Sequence, residues 1–326
     1  VGYKLGLTAT PKDYLKNIDP QKLSEKDPRA WERRQLLDTY QTFGCESGEP
    51  MFRYSLLDGV KDGFLVNPIV ADARTEITTE LLSEKGYSLI VENEEGVEEE
   101  QVFFQKDFER KFFSDKTNKI FCKTFLENAL KDPVSGEIGK SIIFCVSQMH
   151  ASKITQILNE FAESLWSGKY NSDFAVQITS NIPNSQQFTI NFSDKSNNLN
   201  GHTRWLENYK SSKTRVCVTV GMMTTGYDCQ DILNLCMMRP IFSPTDFIQI
   251  KGRGTRKYTF KYRDGENEIT SAEKATFKLF DFFANCEYFE EKFNYDQELN
   301  LPIVKGTGIG VGGDGIDIDE VTVTTP

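Results

Sequence analysis

Gln249, Gly252, Arg253 and Arg256 stand at fixed offsets in QIKGRGTR, residues 249–256. An arginine carries a planar, permanently charged fork that matches a phosphate edge with parallel hydrogen bonds. Two arginines three apart share one side of a helical turn, so both forks can face one small, highly charged group. The pattern reads as part of a phosphate site; its plain alternative is a pair of surface ion pairs. Two further stretches offer hydroxyls, a glycine and a carboxylate: LTATP at 7–11, with Thr8 and Thr10, and TTGYD at 224–228, with Thr224, Thr225, Gly226 and Asp228. For the threonines of TTGYD the plain alternative is a capped turn, since such side chains bond readily to nearby backbone. Ser147, just past the apolar run SIIFCV, adds another hydroxyl.

Two stretches imitate nucleotide or metal sites and are set aside. SGEIGKS, 135–141, ends like a P-loop, but GxxxxGK[ST] needs glycine where Val134 stands. A P-loop also follows a strand and opens a helix, whereas Lys140 precedes a strand. An ordinary turn is expected there. DIDE, 317–320, lies in a Gly-rich tail with no apolar strand before it, so it does not read as a magnesium box.

The elements that would position these residues alternate from residue 140 onward. Continuous apolar runs at 141–146, 174–180, 215–220, 232–238 and 277–283 are separated by an amphipathic helix in MHASKITQILNEFAE, by a polar loop with a short helix around TRWLENYKS, and by a helix over about 244–251. Buried apolar strands between helices describe a doubly wound α/β domain with a parallel sheet covered on both faces. TATP, TTGYD and QxxGRxxR each follow an apolar strand, which puts them beyond carboxyl ends, where open α/β sheets bind ligands.

Before residue 140 the pattern is less regular. YKLGL reads as a buried strand, DPRAWERRQLLDTYQTF as loop plus helix, FRYSLLDGVKDGFL as helical, NPIVADA as a strand, and 107–132 as a helix. A hairpin is expected around Asn93–Gly96. The division is 1–66, 67–290 with a hairpin insertion near 87–104, and a linker 291–326 whose acidic, Gly-rich end reads as disordered.

Composition bounds the partners. The net charge of −10 comes from two places: six acids in 92–100 and four in 306–326; without those ten, 38 acids face 38 bases. The body is therefore neutral and a local basic groove remains open to it. Seven cysteines, with no CxxC pair and only two histidines, suit a reduced, cytoplasmic protein without a metal site. No apolar run reaches membrane-span length, and the opening VGYKLGLTATP is no leader but reads like the start of a cut-out fragment.

In this order, with SIIFCVS between the first and second, TATP, TTGYD and QxxGRxxR resemble motifs III, V and VI of superfamily-2 helicase and translocase motors, SIIFCVS standing as motif IV. The likeness covers 1–11 and about 140–283. A finer likeness runs through FGCESGEPMFRYSLLDGVKDGFL, FCVSQMHA, TTGYDC and IQIKGRGTR, which together are similar to the motor part of the R (HsdR-type) subunit of type I restriction enzymes. The resemblance implies a RecA-like second motor lobe preceded by the end of a first lobe.

It further implies that Arg253 and Arg256 act as arginine fingers on ATP, which such groups accelerate by roughly 10³–10⁵. Gly226, Asp228, Gln249 and Gly252 would line the nucleotide, with Gly252 keeping the helix start free of a Cβ and Asp228 meeting the ribose or orienting an arginine. Ser147, Thr224 and Thr225 would touch DNA phosphates, and Thr8 and Thr10 would couple nucleotide state to lobe movement. ATP and Mg²⁺ would be held mainly by a Walker A lysine and a DExx carboxylate upstream of this chain. The implied partners are double-stranded DNA, the first lobe and the modification and specificity subunits, without a membrane. By this reading the isolated chain lacks ATPase and nuclease activity. The same motifs also fit another superfamily-2 helicase, or a scaffold that keeps a motor-like fold without catalysis.

Overall fold

A computed structural model of the chain describes residues 5–8, 11, 38–46, 49–74, 78–84, 113–203, 206, 209–224, 227–264, 268–290, 295–299 and 301. It contains two compact units, 1–62 and 63–326.

In the first unit, α1 (Thr39–Phe43) is capped by Asp38, which accepts from the Gln41 N–H, and is closed by Gly44 at φ 69°. A left-handed residue at that position ends a helix, and glycine takes it without strain. Helix α2 (Leu56–Lys61) starts from a reciprocal capping box between Ser55 and Asp58. The expected buried strand in YKLGL is not found in its described part, residues 5–7. Residues 5–8 form no strand, and Leu5 and Leu7 are 81% and 91% exposed. An apolar strand is buried only inside a sheet, and among the described residues this segment pairs with none.

The second unit is built on seven strands in the order β3-β4-β2-β5-β8-β1-β9. They are β1 (Asn67–Asp72), β2 (Ser141–Cys145), β3 (Ala175–Gln177), β4 (Val216–Thr219), β5 (Asn234–Met238), β8 (Thr276–Asp281) and β9 (Gln297–Glu298), and every pairing is parallel. Helices α3 (Thr79–Glu84), α4 (Asp115–Asn128), α5 (Gln148–Leu165), α6 (Ser185–Phe192), α7 (Pro244–Gly252) and α8 (Asn285–Phe289) connect them. A separate antiparallel ribbon joins β6 (Thr259–Asp264) to β7 (Glu268–Glu273).

The strands alternate their buried side chains between two cores, as the period of two requires. Ile143, Cys145, Val216, Val218, Cys236, Met238 and Phe280 face one core, together with α4 and α5. Ile142, Phe144, Cys217, Leu235, Met237, Phe277 and Leu279 face the other, with Phe192 of α6 and Phe247 and Ile250 of α7. This is the doubly wound, RecA-like α/β architecture expected from the sequence. Strands β2 and β5 are neighbours, yet the helices that follow them, α5 and α7, pack on opposite faces. A crevice therefore opens beyond the carboxyl ends of these two strands, at the topological switch point.

Two elements differ from expectation. The presumed polar loop after β3 contains α6, and the described residues of TRWLENYKS (203, 206, 209–211) are not helical. The ribbon of β6 and β7 has no counterpart in the apolar pattern, because its strands are rich in charge. The hairpin near Asn93–Gly96, the DIDE stretch and the 306–326 tail lie outside the described residues. SGEIGKS is a turn running into β2, with Gly136 at φ 69° and Asp132 accepting from the N–H groups of Val134 and Ser135.

Candidate functional site

The chain leaves β4 at the carboxyl rim of the sheet and descends to the amino rim before β5. Helix α7 makes the same descent: its nine residues span about 13 Å, roughly the depth of a strand. QxxGRxxR thus starts in the helix and ends at the amino rim, not beyond the carboxyl end of β5 as its position after the strand suggested. Three contacts fix this. The Val66 N–H, one residue before β1, donates to the Thr255 carbonyl at 2.8 Å. Arg256 forms a bridge with Leu65. Gly254 lies flat on Phe277 near the start of β8, where a Cβ would come within 2.1 Å of the ring.

Because α7 ends at Gly252, Arg253 is its C-cap and Arg256 lies beyond it, so the two do not share a helical turn. They still meet. Arg253 donates from Nη1 to the Tyr227 carbonyl and from Nε to the Gln249 carbonyl at 3.1 Å. Arg256 donates from Nε to Asp228 at 3.2 Å, with side chains 55% and 43% exposed. Burial lowers the Arg253 pKa, the neighbouring Arg256 charge lowers it further, and Asp228 opposes both. Arg256 is thus paired with a partly exposed carboxylate, while Arg253, bonded to backbone carbonyls, stands close enough to feel both charges.

The loop beneath them is anchored from three sides. Lys140, 1% exposed, sets its ammonium 2.8 Å from Asp231 and 2.7 Å from Asn197. Lys274 donates to the Gln230 carbonyl at 3.0 Å, and the Gln230 N–H donates to Asp194 at 3.1 Å. Asp194, Cys229 and Asp231 have metal-ligand spacing. However, Lys140 already meets the Asp231 charge, and burial, then Asp231, push the Cys229 thiol upward, away from the thiolate a metal would need.

The remaining candidates separate. Gln249 is half-buried on α7. Gly252 ends that helix instead of opening it, and a Cβ there would meet nothing within 4 Å, so the close-approach role belongs to Gly254. Thr224 is buried and its hydroxyl donates to the Gly221 carbonyl at 2.6 Å, so it closes a turn and does not face outward as a DNA contact would. Ser147 caps α5, accepting from the His150 N–H at 3.1 Å, and stands at the carboxyl rim. Thr8 is exposed in the first unit, while Thr10, Thr225 and Gly226 lie outside the described residues. Sequence reasoning passed over Arg239, a lone arginine directly after the apolar β5 in MMRP, although a charge ending a buried run at a carboxyl rim was the signal for it.

The fold defines the class, a doubly wound α/β domain on a parallel sheet. No family model matches the chain. It is 27% identical over 256 residues to the endonuclease subunit of the type I restriction enzyme EcoKI of Escherichia coli (strain K12), covering 75% of this chain and 19% of that protein. It is 27% identical over 210 residues to the EcoAI endonuclease subunit of Escherichia coli, covering 64% of this chain and 23% of the relative. A solved fragment described as an HsdR subunit of a type I restriction enzyme from Vibrio vulnificus YJ016 matches with TM-score 0.48 and 24% identity, over 80% of this chain and 40% of that one. The chain is a sequence relative of HsdR-type endonuclease subunits and spans about a fifth of the length of the curated relatives, 19% and 23%. Among the described residues no helix is long and apolar enough to cross a membrane.

Proposed function

We propose that the chain is the second motor lobe of a type I restriction enzyme R subunit and serves ATP-driven translocation along double-stranded DNA. The observation that carries this reading is the meeting of Arg253 and Arg256 on Tyr227–Asp228, at a rim where Arg256 stays more than half exposed. ATP, held with Mg²⁺ mainly by the first lobe, supplies the phosphoryl group. Arg256 presents two Nη groups with no partner among the described residues and swings from Asp228 toward a more highly charged phosphate. Arg253 is held from two backbone carbonyls and stabilises the same charge from a fixed position. Asp228 keeps Arg256 aimed while no phosphate is near. DNA, the modification and specificity subunits and a cytoplasmic setting belong to the same reading.

The test measures DNA-stimulated ATP hydrolysis by the chain together with its first lobe. Arg256→Ala is expected to lower turnover by roughly 10³-fold or more, and Arg256→Lys to recover little of it, because an ammonium lacks the planar fork. Near-normal turnover in Arg256→Ala would overturn the finger assignment, and a wild-type pair without DNA-stimulated turnover would favour a scaffold.

A further inference from the structure

The amino rim contains buried ion pairs; the carboxyl rim contains a charged group that is under-partnered among the described residues. Arg239 follows Met238, and Met238 pairs with Cys145, so Arg239 leaves the sheet beside the segment that carries Ser147. This is the switch-point crevice between β2 and β5. The Arg239 side chain is only 18% exposed, yet its one ion pair among the described residues is a long 3.5 Å contact from Nη2 to Asp246, which is 45% exposed. Its Nε is buried with no hydrogen-bond partner among the described residues. Burial lowers its pKa, with Asp246 opposing, as expected for a charge whose solvation has been replaced incompletely.

The backbone that presents Arg239 is nevertheless fixed. Asn285 donates from Nδ2 to the Arg239 carbonyl at 3.2 Å and accepts from the Ile241 N–H at 2.7 Å. The same Nδ2 donates to the buried Asp281 at 2.9 Å, tying the turn after β5 to the end of β8. A rigidly placed, desolvated guanidinium with spare donors is costly unless an anion completes its partners. The N-termini of α5 and α7 flank the same crevice, and their outward N–H groups favour negative charge.

We propose that Arg239 anchors a second phosphate subsite, at the carboxyl rim between β2 and β5 and separate from Arg253 and Arg256. Its ligand is a phosphate group, from either a nucleic-acid backbone or a nucleotide. Asp246 is the internal competitor that holds Arg239 when the subsite is empty.

Binding of a fluorescein-labelled DNA duplex, followed by anisotropy across a salt series, and of inorganic pyrophosphate, followed by calorimetry, tests the subsite on the unaltered chain and on Arg239→Ala, Arg239→Lys and Asp246→Asn. Arg239→Ala is expected to weaken one probe by roughly 10- to 100-fold. If that probe is DNA, the salt slope should also fall by about one and the source is backbone phosphate; if it is pyrophosphate alone, the source is a nucleotide. Asp246→Asn is expected to tighten the same probe, a sign that loss of a merely structural ion pair would not give. Should Arg239→Ala fail to fold, Arg239→Lys and Asp246→Asn carry the comparison. Unchanged binding of both probes, weaker or unchanged binding in Asp246→Asn, or no binding by the unaltered chain overturns the subsite. Unchanged binding in Arg239→Ala alongside lost ATPase in Arg256→Ala removes this inference and leaves the motor reading intact.

Discussion

His150 shows how a single buried side chain makes the carboxyl rim sensitive to acid. It lies in the first turn of α5 and is 2% exposed. Its Nδ1 accepts from the Val146 N–H at 3.4 Å, its Nε2 faces Asn118 Oδ1 at 3.2 Å, and the Phe113 ring is centred 4.0 Å away. Only the neutral imidazole with its proton on Nε2 satisfies both contacts. Burial, and then the charge of Lys153, lower its pKa from 6.5 to about 3. Below pH 6.5 the unfolded chain takes up a proton that the folded chain refuses. Stability from this group is therefore complete above pH 6.5 and falls as the pH drops toward 3. Between pH 7 and pH 5, before most carboxylates titrate, the loss should be about 2 kcal/mol. Urea midpoints across that window should fall in the unaltered chain and be nearly flat in His150→Gln. Equal slopes in the two would show that another group governs the acid response.

Among the elements, the passage from α7 into 253–256 depends on Gly254. Its Cα faces the Phe277 ring so closely that an added methyl would displace either the ring or the loop. Gly254→Ala is expected to destabilise the chain by about 1–3 kcal/mol, read from chemical denaturation, and to displace Arg256 from Asp228. Gly252→Ala is expected to be nearly neutral, since its Cβ would enter open space. The strands were legible because continuous apolar runs such as SIIFC and NLCMM have no other way to be buried. Helix α6 was not legible, because it buries little beyond Ser185 and Phe192 and otherwise reads as polar loop. Motif order located the arginines after β5, but spacing alone does not say at which rim a helix ends. That depends on α7 running back along the sheet, a property of the packed layer and not of the eight residues themselves.

At the scale of the whole molecule, buried ion pairs hold loops beneath the sheet. Beneath the amino ends, Lys140 with Asp231 and Arg215 with Asp132 are pairs whose side chains are no more than 4% exposed, and Glu137 meets Lys169 at 3.0 Å. Arg215 also donates to the Ile138 carbonyl and to Ser211 and Ser212. Such satisfied networks hold loops in one place more than they add net stability, because desolvation offsets much of the attraction. Removing one partner is different, since it strands a charge. Lys140→Met should cost about 3–5 kcal/mol by leaving Asp231 buried and unpaired, whereas Lys140→Met with Asp231→Leu should regain much of that. On the proposed motor reading, if the Lys140–Asp231 pair also positions the Tyr227–Asp228 loop, the double variant will fold yet turn over ATP more slowly when joined to the first lobe. Denaturation and ATPase measurements on the same preparations separate the two effects. Recovery of stability with full recovery of turnover would show that the pair supports the fold alone, and that Lys274 and Asp194 suffice to hold the loop on which the two arginines converge.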